Sequence, residues 1–305
     1  MSLDLGQLSL AKYPEDERRD IAGQAFTFMF ARNPFHRMFS AYCDKLFMLA
    51  PQTGFIVKHI RKSMRREQLQ RQGAGENFIY MGPEYNITFA QALVHAIQSR
   101  DPHFLQISKQ CNPCDINFNV LGRMESLDID SRYILTKLNR SHIMENTMEC
   151  DEFRESRDQG IIEELVQRVF SVLKRKKEEM SKFKALVRTW KVFHIRGLVR
   201  DDISFPLSVA EAENASVSRI TELGVAAMHR SGTPAERLAQ RDKYYKQAFR
   251  SVSLADILRF SRSVTSDCRL FGYDCYPAEI YHGRQEGDEE DNIFSNDKYI
   301  YDGLI

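Results

Sequence analysis

The feature that most constrains this chain is residues 26–46, FTFMFARNPFHRMFSAYCDKL, where a strand runs without spacer into a helix. FTFMF at 26–30 is a continuous aromatic and apolar run, the pattern of a strand buried on both faces in the parallel sheet of an α/β domain. The run stops at Arg32. Asn33 is placed to cap the next helix, and Pro34 suits its first turn, where a missing amide hydrogen costs nothing. Phe35, Met38, Phe39, Tyr42 and Leu46 then recur at helical spacing and predict an apolar stripe docked on the sheet. A guanidinium at the carboxyl end of a strand, just before a helix N-terminus, suits an anion. Arg32 offers a planar two-pronged donor, free backbone amides point the same way, and the helix dipole adds partial positive charge. Ser40 follows two turns later, where its hydroxyl can reach an oxygen of the same anion. Arg37 shares a helix face with Ser40 and Asp44, and this spacing pairs it with Asp44 rather than with a ligand.

The rest of the chain is read around that unit. The 305 residues carry 43 Lys plus Arg against 42 Asp plus Glu, a net charge of +1, so no global preference for nucleic acid follows and charge has to be read locally. A hydrophobic content of 43% is ample for a packed core, and no run reaches the roughly 18 apolar residues that cross a bilayer. Residues 1–25 are polar, and 58–71 predict a solvated basic helix. INFNVLGR at 116–123 predicts a second buried strand, and 161–200 a long basic helical stretch with Ile162, Leu165, Val166 and Val169 facing inward. Between 201 and 240 the pattern weakens into small residues, which predicts an exposed insertion or linker. Residues 281–305 form an acidic tail. Cys111 and Cys114 make a lone CxxC, too few ligands for a local four-coordinate zinc site, so no metal is expected there; a short-range disulfide or two buried thiols remain. Cys268 and Cys275 are a further candidate pair. The sequons at Asn86, Asn139 and Asn214 lean toward a lumenal, glycosylated life, with Asn139 the least suited because it lies near a predicted helix.

ARNPFHRMFSAYCDKL at 31–46 resembles the RxPxxRxxSxYxxK pattern of the membrane-bound Golgi carbohydrate sulfotransferases of the chondroitin, dermatan and HNK-1 type. A second segment, 103–135, is similar to that family's HW, CxPC, YDFIGKxETLxxD and YxL series through His103, Cys111, Pro113, Cys114, Gly122, Glu125 and Asp130. It departs from the series at Phe104, Phe118, Asn119 and Arg123, and Asn119 stands where the family has an aspartate. DKYYKQAF at 242–249, SLADILRF and DCRLFGYD give a weaker echo of the family's C-terminal end.

The resemblance implies a parallel-sheet, P-loop-like α/β sulfotransferase fold with helical additions, occupying 26–280. It implies transfer of a sulfuryl group from PAPS (3′-phosphoadenosine 5′-phosphosulfate) to a glycan hydroxyl on the lumenal side of the Golgi membrane. Arg32 and Ser40 match the family's ligands for the 3′-phosphate. The family's second element, a strand, lysine loop and helix that hold the 5′-phosphosulfate, has no counterpart in the 25 residues before Phe26. The resemblance is therefore to an N-terminally truncated, inactive member whose membrane anchor is missing; the alternative is a non-catalytic nucleotide- or glycan-binding relative. The basic stretches suit a sulfated or uronate-containing acceptor, and no recognised nucleic-acid module accompanies them. None of the eight histidines is singled out as the catalytic base.

Overall fold

The computed structural model describes residues 12–49, 53–72, 87–111, 113–145, 151–175, 181–282 and 293–294. The polar stretch before the first strand forms α1 (Glu15–Gln24), none of whose residues is buried. β1 (Phe28–Ala31) and β2 (Val120–Arg123) pair in parallel, with Phe28 opposite Val120 and Ala31 opposite Arg123. Parallel strands need a long crossover. Here it holds α2 (Pro34–Tyr42), α3 (Thr53–Gln72), α4 (Phe89–Gln98) and the short α5 (Ile107–Cys111). After β2 the chain is helical: α6 (Leu127–Lys137), α7 (His142–Glu145), α8 (Asp151–Arg175) and α9 (Lys182–Ile195) lead to α10 (Val209–Asn214) and α11 (Val217–Met228). The run ends with α12 (Pro234–Arg250), α13 (Leu254–Ser263), α14 (Thr265–Phe271) and α15 (Ala278–Tyr281). The result is a mostly helical chain with a small parallel sheet, compatible with an α/β sulfotransferase fold.

Both expected strands form, but β1 is not buried on both faces. Met29 and Ala31 point into a small cluster with Phe271, while Phe28 is 44% exposed. Successive side chains of a strand point to opposite faces of the sheet, and here only the face carrying Met29 and Ala31 is packed. The stripe of α2 appears as expected at Phe35, Met38, Tyr42 and, within a π-helical turn at Cys43–Phe47, Leu46. Its partner is different: the stripe packs into the main helical core rather than on the sheet. Phe35 lies against Phe249 and Phe260, and Tyr42 against Phe89.

Residues 201–240 are a second correction. They are neither exposed insertion nor linker, because α10, α11 and the start of α12 pack with Ala212, Ala215, Ile220 and Ala227 buried in the main core. Their small side chains permit close approach, and a Cβ on Gly224 would stand 2.9 Å from Ile162 and 3.1 Å from Phe193. A third concerns the C-terminal end. Phe294 is fully buried against Phe47 and Phe89, and its carbonyl accepts the Phe89 amide at 3.0 Å, while the acidic run 287–292 lies outside the described residues. Among the described residues no helix is long and apolar enough to cross a membrane.

Candidate anion site at the ends of the parallel strands

Arg32 follows β1 directly, and β2 ends beside it at Arg123. Open parallel sheets place ligands at the carboxyl ends of their strands, where chain reversals leave a crevice. Asn33 caps α2 as its type predicts, its Oδ1 accepting from the amides of Phe35 at 2.9 Å and His36 at 3.3 Å. That cap changes the chemistry expected of the site. The first amides of α2 are already spent on Asn33, so an anion here is met by side chains and the helix dipole, not by free amides.

Two of those side chains are without a hydrogen-bond partner among the described residues, the Arg32 guanidinium and the Ser40 hydroxyl, and both are half-buried. Burial lowers the basicity of Arg32, and the charge of Arg241 lowers it further against the opposing pull of Glu125. Arg37, by contrast, donates to the carbonyls of Leu105 at 2.6 Å and Pro102 at 3.1 Å. It clamps the loop before α5, and the pairing with Asp44 read from helix spacing does not occur. Asp44 instead meets Lys45 at 2.7 Å, Arg168 at 2.9 Å and Arg196 at 3.1 Å. Burial would raise its carboxyl, but the bonds and charges of Lys45 and Arg168 win and hold it below the usual carboxylate range.

The second motif segment builds the neighbouring wall. Gly122 is required by contact, since a Cβ there would lie 2.6 Å from the Phe30 ring. Asp130 accepts from the Arg123 amide at 2.9 Å and the Ser126 hydroxyl at 2.6 Å, which fixes the turn leaving β2. Glu125 accepts from the Tyr273 hydroxyl at 2.8 Å, joining this turn to the FGY segment. Asn119, where the family pattern has an acid, uses its side-chain oxygen to accept from the Thr27 amide at 2.8 Å, so it fastens the start of β1. His103 sits apart, its Nδ1 2.7 Å from Asp101.

Two groups went unnoticed in the sequence. His36 stacks on Tyr245 of α12 with ring centroids 4.1 Å apart and planes 12° from parallel. Burial and then the charge of Arg32 lower its pKa, which favours the neutral imidazole. Arg241 stands one turn before Tyr245, immediately ahead of DKYYKQAF; adjacency to that segment was the available signal.

Cys111 and Cys114 are exposed free thiols, so neither reading of the CxxC holds, whereas Cys268 and Cys275 are disulfide-bonded with Cα atoms 5.7 Å apart. Asn139 is exposed at positive φ after α6, and Asn214 is exposed with its side-chain amide donating to the Ala210 carbonyl at 2.9 Å. Asn86 lies outside the described residues. Among the described residues no group of His, Cys, Asp and Glu is arranged to hold a metal ion.

The profile of the sulfotransferase family matches residues 5–189, which include Arg32, Ser40 and the whole second motif segment. The chain belongs to the sulfotransferase family. Its relatives include carbohydrate sulfotransferase 10 of Danio rerio, 34% identical over 120 residues, or 36% of this chain and 32% of that protein. Carbohydrate sulfotransferase 11 of Rattus norvegicus is 30% identical over 142 residues, 44% of this chain and 38% of that one. Carbohydrate sulfotransferase 14 of Danio rerio is 30% identical over 132 residues, 42% and 34% respectively. The matched part thus spans about a third of the length of these sulfotransferases. No solved structure matches the chain.

Proposed function

We propose that this sulfotransferase-family chain is part of a carbohydrate sulfotransferase that uses PAPS, with Arg32 and Ser40 as ligands of the donor's 3′-phosphate. The observation that carries the reading is the pair itself. A half-buried guanidinium at the carboxyl end of β1 and a half-buried hydroxyl two turns on along α2, neither hydrogen-bonded to the described protein, lie within the family-matching segment. Both groups have donors to offer in a partly desolvated place, where charge-assisted hydrogen bonds to a phosphate are stronger than in open water.

The donor supplies an activated sulfuryl group; the chain's task is to position it. In the transfer a bond forms from a sugar hydroxyl oxygen to sulfur while the bond from sulfur to the phosphate oxygen breaks, and the hydroxyl proton leaves to a base. Anchoring the far end of the nucleotide through Arg32 and Ser40 restricts the reacting end to one approach, the positional part of such catalysis. The names of the relatives support a glycan acceptor. The lumenal face of the Golgi membrane fits the Cys268–Cys275 disulfide and the exposed sequon asparagines Asn139 and Asn214.

The test is binding rather than turnover, because Arg32 and Ser40 speak only for the 3′-phosphate end. Titration calorimetry of the 305-residue chain with 3′,5′-ADP is expected to give saturable binding that weakens with salt. No binding at millimolar nucleotide would overturn the assignment.

A further inference from the structure

The packed face of the small sheet is covered by a loop that a disulfide closes. Met29 and Ala31 of β1 cluster with Phe271, the last residue of α14, and Tyr273, Ile107 and Phe118 lie against that cluster. Phe271 and Tyr273 stand between Cys268 and Cys275, which are bonded to each other across a separation of seven residues. The chain reverses inside the loop at Gly272, φ +69°, and the Tyr273 amide returns to the Cys268 carbonyl at 2.9 Å. Cys268 is buried, whereas Cys275 is half-buried.

Three contacts carry the loop to the strand ends. Phe271 packs beside Ala31, the residue that immediately precedes Arg32. The Tyr273 hydroxyl donates to Glu125 at 2.8 Å, in the turn that leaves β2. Asp267, next to Cys268 and itself buried, accepts from the amides of Ile107 at 2.8 Å and Ser108 at 2.9 Å. Those amides open α5, and the segment before α5 is the one that Arg37 clamps. A pair of four-residue strands is marginal by itself and takes its order from what packs on it. The disulfide limits how far Phe271 and Tyr273 can move off the sheet, because it joins the two ends of their segment.

We propose that the Cys268–Cys275 loop is a redox-sensitive brace for the strand ends. Phe271 positions β1 and Tyr273 positions the turn after β2, so opening the disulfide loosens the sheet and the site at its carboxyl end. A dithiol opens it in two exchanges. Its thiolate attacks the more accessible Cys275 sulfur, the bond between the two sulfurs breaks, and Cys268 leaves as a thiolate that takes a proton. The second thiolate of the reagent then displaces Cys275, which is protonated in turn, and the reagent carries away the disulfide; the two electrons it gives up reside on Cys268 and Cys275.

The effect on ligand binding rests on reading Arg32 as a 3′-phosphate ligand; the effect on the sheet does not, and two measurements keep them apart. Hydrogen exchange of the 305-residue chain is followed by mass spectrometry over 26–33, 118–127 and, as a control in α9, 183–195, with and without dithiothreitol. Alkylation of Cys268 and Cys275 reports that the bond is open. Reduction is expected to quicken exchange over both strands by about tenfold or more and to leave 183–195 unchanged. In calorimetry of the same two forms, 3′,5′-ADP should bind about threefold or more weakly after reduction, because the site is no longer held in its binding geometry. Tyr273→Phe, with the disulfide intact, should quicken 118–127 more than 26–33; Phe271→Ala should do the reverse, and Phe271→Leu should restore part of the protection. Strands that exchange equally fast in both redox forms overturn the brace, as does equal quickening over 183–195, which would mean that the bond holds the whole fold. Faster strands with unchanged 3′,5′-ADP affinity refute the link from brace to site. Faster strands with no 3′,5′-ADP binding in either form refute the reading of Arg32 and leave the brace standing. Cys268→Ser combined with Cys275→Ser should match the reduced chain and ignore the dithiol; should that variant not fold, the reduced natural chain and Tyr273→Phe decide.

Discussion

Removing the Arg32 guanidinium separates a ligand from a structural arginine, because the two roles predict opposite patterns in binding and stability. Arg32 makes no hydrogen bond or ion pair among the described residues, and its charge is opposed by burial and by Arg241. In the free protein, Arg32→Ala therefore breaks no hydrogen bond or ion pair and removes only the packing of a half-buried stem, so the melting temperature should change little. In the complex, it removes a charge-assisted contact to phosphate worth about 1.5 to 3 kcal/mol. At 1.4 kcal/mol per tenfold, that is a loss of roughly 10- to 150-fold in affinity for 3′,5′-ADP. Arg32→Lys should fall between, since an ammonium restores charge but not the planar two-pronged geometry. Calorimetry with 3′,5′-ADP and a thermal melt of each variant read both quantities. Unchanged affinity in Arg32→Ala, or a melting temperature lowered by more than a few degrees, refutes the reasoning.

Three further outcomes are expected. Gly122→Ala forces a Cβ to within 2.6 Å of the Phe30 ring and should cost about 1 to 3 kcal/mol in urea unfolding, partly recovered by Phe30→Leu; full stability in the single variant would show that the strands are not packed this way. Phe294→Ala opens a cavity among Tyr42, Phe47 and Phe89 and should cost about 3 to 5 kcal/mol, whereas a neutral result would remove residues 293–294 from the core. His194 is 4% exposed, and burial, with Lys191 adding to it, depresses its pKa from the ordinary 6.5 to about 4. The unfolded chain then binds the proton more tightly, so the contribution is complete above pH 6.5 and is lost as pH falls toward 4, roughly 3 kcal/mol in all. His194→Gln should flatten that part of the stability profile, and an unaltered slope would exclude this histidine as its source.

What could be read in the sequence divides by distance along the chain. The strand, cap and helix of 26–42 were legible because each signal acts within a few residues: an apolar run, an Asn before a Pro, a stripe at helical spacing. The use of the α2 amides was also implicit in Asn33, since a cap that satisfies them also withdraws them from any anion. Residues 201–240 misled for a local reason as well. Ala and Gly weaken hydrophobic periodicity but are the residues that let α11 approach α8 and α9, and the better guides were the caps, Ser208 with Glu211 and Thr233 with Glu236, which form complete capping boxes. Arg37 could not be placed by spacing, because its partners lie on a loop more than sixty residues away. Arg241 lay furthest from view. Its position depends on a left-handed glycine at 197, an acid at 158 and a ring stack with His36, three contacts from three segments that no local pattern connects. A one-dimensional motif therefore recovers the candidate ligands that sit on a single strand and helix. How α12 closes over α2 is settled only by such long-range contacts, which is why Gly197→Ala, whose Cβ would meet the Arg237 carbonyl at 2.5 Å, should destabilise the fold without touching a candidate phosphate ligand.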